Sequence, residues 1–291
     1  MKALVIGGTR FIGAHVVRAL NDAGAEVTVF HRGKTSNPLL PNVTHITDPL
    51  AEYPITNFPA SLQNDWDVVV HMVAMGEADG RAAASYFAGR TGRFVMVSSA
   101  DVYLAYGRLT KRGPGPVEPT PLTEDSALRA IMFPYRGYEE MLGAWARDYE
   151  KILAEHAVQA RSDLDWTILH LPKVYGAEDN SDLSTVYGFS ANPGWRWTHG
   201  HVKNVAAAIS LATRHSSARR SIFNVGEAHT PTMGERLAWL PKREVSKGTA
   251  PPFEYRQQYV VETSKVRNEL GYADVVDEKL SMIQLASSVL G

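Results

Sequence analysis

Residues 1–13 read Met1-Lys2-Ala3-Leu4-Val5-Ile6-Gly7-Gly8-Thr9-Arg10-Phe11-Ile12-Gly13, and their reading decides the fold. Residues 3–6 are an unbroken apolar run, suited to a strand covered on both faces of a parallel sheet. Gly7 lets the chain turn tightly out of that strand, and Gly13 lets the next segment pack close to it. Residues 14–20 then carry apolar side chains at helical spacing. Strand, glycine turn and helix in this order leave free N–H groups at a helix start, where the dipole favours phosphate.

Further elements follow on schedule. Gly24 stops the helix, and residues 26–30 read as a second strand. Residues 43–46, 68–74, 94–99, 165–171 and 222–226 read as later strands, with an alanine-rich helix over 77–90. The expected fold class is α/β, a doubly wound parallel sheet of Rossmann type.

Composition narrows the classes of function. The 291 residues include no cysteine and carry a formal net charge of −1. Disulfides, thiolate metal sites and a cysteine nucleophile are excluded together. His199 and His201 are close in sequence but have no carboxylate partner nearby, so no metal site is expected. Without a basic excess, a nucleic-acid partner is not expected. A strand starting within three residues of Met1 argues against a signal peptide, and no apolar run approaches the ~20 residues of a membrane span. A cytoplasmic enzyme with a small-molecule substrate is the expectation.

Residues 7–13 also resemble the fingerprint of the extended and atypical short-chain dehydrogenase/reductases, the NAD(P)-dependent epimerase/dehydratase group. Arg10 departs from it, standing where that pattern has glycine. The resemblance continues through Ser98-Ser99-Ala100-Asp101-Val102-Tyr103, the Lys151 segment, Leu171-Pro172, and His201-Val202-Lys203-Asn204-Val205-Ala206. It implies cofactor contacts from Gly7, Thr9, Arg10, Phe11, Ile12, Gly13, His31, Asp48, Met72, Val73, Ala74, Lys151, Leu171 and Pro172. It implies that Ser99, four residues before Tyr103, polarises the reacting oxygen, and it makes a homodimer an expectation. It also implies a nucleotide domain over 1–175, completed by about 200–226, and a small C-terminal substrate-binding part over 176–291.

Cofactor choice is read from the exit of strand two. His31-Arg32-Gly33-Lys34 offers no carboxylate for an adenosine ribose, whereas Arg32, Lys34 and Arg10 suit a 2′-phosphate. NADP is therefore expected, with NAD as the alternative. Asp48 precedes a proline, so it is both a candidate adenine contact and a turn former.

The group's Tyr-x-x-x-Lys pair sets a problem here. Lys151, with Glu155 four residues on, fits the lysine register, but the tyrosine position holds Arg147. Residues 137–157 read as helical, and at ~100° per residue Tyr149 points nearly opposite Lys151. Tyr149 stands beside Lys151 and Ser99 as a catalytic candidate, with Tyr103, Tyr135 and Tyr138 as other candidate proton carriers. His170 reads as a satisfied core histidine rather than a catalyst.

Residues 104–134, rich in proline and without periodicity, read as a long loop, either a lid or a surface feature. The leading function is an NADP-linked oxidoreductase or epimerase/dehydratase-like enzyme on a small hydroxyl or carbonyl substrate. Trp197 stands where a diphosphate-gripping arginine is expected, which weakens a sugar-nucleotide substrate. Two non-redox readings stay beside it. Residues 7–13 also resemble the loop of chloroplast stem-loop RNA-binding relatives, pointing to a binding or regulatory module, and the fold also hosts cyclase or lyase chemistry.

Overall fold

The computed structural model of the chain describes residues 1–37, 40, 43–243 and 251–290. Residues 244–250, inside the part expected to bind substrate, lie outside the described residues. In chain order the elements are β1 (Lys2–Ile6), α1 (Phe11–Asp22), β2 (Glu26–His31), β3 (Thr44–Thr47), β4 (Val68–His71), α2 (Glu77–Phe87) and β5 (Phe94–Ser99). There follow α3 (Leu104–Leu109), α4 (Glu139–Leu142), α5 (Lys151–Gln159), β6 (Trp166–Leu171), β7 (Lys173–Tyr175), α6 (Ser184–Tyr187), β8 (His199–His201) and α7 (Val202–Ala212). The last are β9 (Ser221–Asn224), α8 (Met233–Trp239), α9 (Ser264–Leu270) and α10 (Glu278–Leu290).

Seven strands form one sheet in the order β3-β2-β1-β4-β5-β6-β9. Strand β1 pairs in parallel with β2 on one side (Ala3 opposite Val27) and with β4 on the other (Ala3 opposite Val68). The chain thus winds outward through β2 and β3, then crosses back to place β4 beside β1. Strand order reverses there, and the carboxyl ends of β1 and β4 flank the crevice where such sheets bind ligands. This is the doubly wound parallel sheet expected.

The residues group into two compact units. The first comprises 1–99, 132–170 and 206–223, and the second 100–131, 171–205 and 224–291. The first unit's core is built from the apolar runs of the buried strands: Leu4, Ile6, Phe30, Val69, Phe94, Met96 and Ile168, with Phe87 and Val158 from the helices. Helices α2 and α5 touch through Gly80, where an added Cβ would lie 3.2 Å or less from Ala154 atoms. The second unit contains the parallel pair β7 and β8 and a core around Tyr175, Leu183, Val186 and Met282.

Two expectations change. The stretch 104–134 is not structureless, because it opens with α3, and its Leu122 is buried and bonded to Val260 and Glu262 backbone. Nor is 137–157 one helix. Helix α4 ends at Gly143, whose φ of +95° breaks the right-handed turn, and α5 begins only at Lys151. At the N-terminus of α9 the Glu262 carboxylate accepts from the N–H of Thr263 and of Ser264. Gly271, at φ +66°, stops that helix.

Candidate active site

The glycine turn has the geometry of a phosphate cradle. Gly7 has φ +82°, and its N–H bonds Phe30 O at 3.0 Å. A Cβ on Gly13 would lie 2.7 Å from Gly7 O and 2.9 Å from Gly8 Cα, so only glycine permits this approach of α1 to the turn. Arg10 takes the N-cap position with extended backbone (φ −133°), a conformation open to any residue, which explains how arginine replaces glycine there. Its side chain makes no cap, and the first turn of α1 holds no acid, so nothing in the helix competes for an anion at its N-terminus. Phe11 sits at φ +38°, a strained value for a side chain of this size. Thr9 is buried, Ile12 half-buried and Arg10 exposed. The close glycine approach and the uncapped N-terminus of α1 fit a dinucleotide pyrophosphate.

Beside the turn, residues 72–76 leave the end of β4. Val73 packs on Gly7, where an added Cβ would meet its methyl carbons at 2.8 and 3.0 Å. Met72 N–H bonds Ile6 O at 3.0 Å. Three groups fix the backbone that follows. Lys151 Nζ donates to Ala74 O at 2.7 Å, Glu150 N–H donates to Met75 O at 2.8 Å, and the Asp79 carboxylate accepts from Met75 N and Gly76 N, both at 2.8 Å. Burial raises the Asp79 carboxyl above its usual range, while those amides and the Lys151 charge oppose the shift. His71, at the end of β4, is wholly buried and held near pKa 3, first by burial and then by the Lys151 charge. Its Nε2 has no hydrogen-bond partner among the described residues.

Lys151 is the centre of this arrangement. Its Nζ also donates to Val97 O at 3.0 Å, so one buried ammonium bridges the segments leaving β4 and β5. Glu150, fully buried and extended, caps α5 by accepting from Ile152 N at 3.1 Å and holds Phe133 N at 2.5 Å. Because α5 starts at Lys151, helical angles do not apply to Tyr149. The Tyr149 ring centroid lies 5.7 Å from Lys151 Nζ, correcting the expectation that it faces away. Tyr149 is 7 % exposed and packs on Tyr135 and Trp145, with centroids 5.0 and 5.4 Å away. Arg147 belongs to a short 3-10 turn, and its carbonyl accepts from Arg136.

One turn along α5, Glu155 makes a buried polar bridge that sequence reading missed. It accepts a short hydrogen bond from Ser98 Oγ and pairs with His170 Nε2 at 3.1 Å. Helix α5 is thereby tied to β5 and β6 under the strand end that presents Ser99, which is half-buried. His170 is thus satisfied in the core, as read. The Lys-x-x-x-Glu spacing was the available signal, since both side chains lie along one helix face.

At the exit of β2, the two cations are already partnered. Glu52 Oε2 lies 3.6 Å from Arg32 Nη1, and Glu52 Oε1 accepts a short hydrogen bond from Lys34 Nζ. His31 Nδ1 accepts from Gly33 N at 3.1 Å, which places the proton on Nε2, 2.9 Å from His45 Nδ1. Burial and the His45 charge lower its pKa. Asp48 acts locally as a turn former, accepting from Leu50 N at 2.9 Å.

Several expected residues lie in the second unit. Leu171 is buried there, and Pro172 packs on Gly200. Tyr103 is fully buried and donates its hydroxyl to Asn224 Oδ1 at 2.6 Å, so this phenol is committed to the core. His199 is buried, bonded to Trp197 O at 2.8 Å, and held well below its usual pKa by burial. No cluster of His, Cys, Asp and Glu able to hold a metal occurs among the described residues. No described helix is long and apolar enough to cross a membrane.

Solved structures share this architecture. A short-chain dehydrogenase/reductase superfamily protein from Agrobacterium tumefaciens with bound NAD superposes with a TM-score of 0.71 at 18 % identity, over 100 % of this chain and 97 % of that one. The UDP-glucose 4-epimerase of Thermotoga maritima with UDP-glucose gives 0.69 at 18 % identity over the full length of both. That of Thermus thermophilus in complex with NAD gives 0.69 at 19 %, over 100 % and 99 %. No curated protein matches the chain. The pattern of the NAD dependent epimerase/dehydratase family matches residues 3–226, most of the chain and every part of the glycine turn and lysine helix described above. On that match the chain belongs to the NAD dependent epimerase/dehydratase family.

Proposed function

We propose that this protein is a nicotinamide-dinucleotide-linked enzyme that oxidises and reduces a hydroxyl or carbonyl carbon of a small substrate, as an epimerase, dehydratase or simple reductase. The observation that carries the reading is Lys151, bridging the segments after β4 and β5 with the Tyr149 ring beside it. When bound, the dinucleotide supplies or accepts the hydride. The protein's own contribution is positional and electrostatic. The glycine turn and the α1 N-terminus would hold the pyrophosphate, and Lys151 the ribose hydroxyls. Ser99 would hydrogen-bond the reacting oxygen, and Tyr149 would carry its proton. An ammonium next to a phenol stabilises negative charge developing on that oxygen, which suits proton transfer near neutral pH.

The relatives named above with NAD or UDP-glucose support this chemistry class, and a UDP-sugar is one substrate to test first. Arg32 and Lys34 support NADP, and the NAD-bound neighbours support NAD. A homodimer and a cytoplasmic location complete the proposal. Titration with NADH and NADPH, read by quenching of Trp145 beside Tyr149, tests it directly. Binding of either at micromolar concentration, followed by turnover in a screen of UDP-sugars and small carbonyl compounds, is the expected result. Binding of neither overturns it and leaves a non-redox role.

A further inference from the structure

The segment leaving β2 offers no acid to meet an adenosine ribose, yet the folded chain brings one there. His31 O accepts Asp48 N at 3.1 Å, tying the β2 exit to the turn after β3. Within that turn Asp48 O accepts Ala51 N at 2.9 Å, and Asp48 Oδ1 holds Leu50 N. Ala51 and Ile55 are buried in the first unit's core and fix the residues between them. Glu52 is thereby returned over Arg32 and Lys34, paired with both, while all three side chains keep about half their surface in water.

We propose that Glu52 is the residue that selects NAD over NADP. The inference rests on the reading that this turn binds a nicotinamide dinucleotide. Its carboxylate fills the role that an acid at the end of the second strand plays in such folds, accepting from ribose hydroxyls. It also occupies the two cations that a 2′-phosphate needs. A phosphate entering this corner must displace the carboxylate from Arg32 and Lys34 and then sits beside it, so like charges oppose binding. NAD brings no such charge. A corner that reads as NADP-selective in one dimension is NAD-selective once Glu52 is in place.

The test compares dissociation constants of NADH and NADPH for the wild type, Glu52→Gln and Arg32→Ala, with thermal unfolding as a folding control. The wild type is expected to prefer NADH by about tenfold or more, since charge-assisted contacts and exposed ion pairs are of this size together. Glu52→Gln is expected to tighten NADPH by about tenfold and weaken NADH severalfold, and Arg32→Ala to weaken NADPH further by removing a cation that a 2′-phosphate needs. A wild type that prefers NADPH, or an NADH/NADPH ratio unmoved by Glu52→Gln, overturns the role of Glu52 while the dinucleotide reading stands. Failure of both nucleotides to bind the folded wild type overturns that reading and this inference with it.

Discussion

Tyr149 precedes Lys151 by two residues, and its ring nevertheless lies beside the lysine ammonium, with the centroid 5.7 Å from Nζ. The relationship exists because Glu150 is extended and caps the helix that Lys151 begins. In a continuous helix the two side chains would point to nearly opposite faces. Tyr149→Phe is therefore expected to retain nucleotide affinity within about twofold and to lose turnover by roughly 10²–10⁴. Paired nucleotide titration and steady-state kinetics on the substrate found by the screen check this. Unchanged turnover would remove Tyr149 from the chemistry.

The approach of α1 to the glycine turn leaves no room at residue 13. Gly13→Ala places a methyl carbon 2.7 Å from Gly7 O, a backbone atom that cannot step aside. We expect a loss of about 1–3 kcal/mol of stability and a loss of nucleotide binding beyond what unfolding explains. Denaturant melts and titration at a temperature where the variant is folded separate the two effects.

Glu155 satisfies two buried groups at once, Ser98 Oγ and His170 Nε2. Glu155→Ala removes the acceptor that both share and opens a cavity, costing about 2–4 kcal/mol. Glu155→Gln keeps an acceptor for one of them and should cost about half as much. Urea unfolding of both variants gives the comparison, and equal losses would mean that packing alone carries the effect.

The second unit predicts a pH dependence of stability. Glu227 accepts from His201 N and Asn204 Nδ2, but burial, with Asp274 and Glu278 nearby, raises its pKa to about 8. Arg236 pairs with Glu278 and Arg267 with Asp274, so those cations are engaged next to it. The folded chain holds a proton that the unfolded chain, with an ordinary Glu pKa of 4.5, has released. Stability from this group is full below 4.5 and falls as pH rises from there to about 8. Glu227→Gln should flatten that slope, and on the order of 4–5 kcal/mol is at stake. Melting temperatures of both proteins at pH 5 and pH 8 measure it.

What the sequence determined by itself is local. The apolar run 3–6, the glycines at 7 and 13, and the helical spacing after them specify strand, turn and helix within one short segment, because each choice is enforced by neighbours a few residues away. The register of Lys151 with Glu155 was legible for the same reason. Tertiary structure decided where α5 starts, since the cap at Glu150 is completed by Phe133 N and the docked backbone of Met75. It decided that Glu155 meets Ser98 and His170, and that Glu52 faces Arg32 and Lys34. Those partners are brought together by parallel strand pairing and crossover connections across 15 to 57 residues of chain. Periodicity carries no record of such distances, so the acid missing from the end of β2 was visible only after the chain had folded around it.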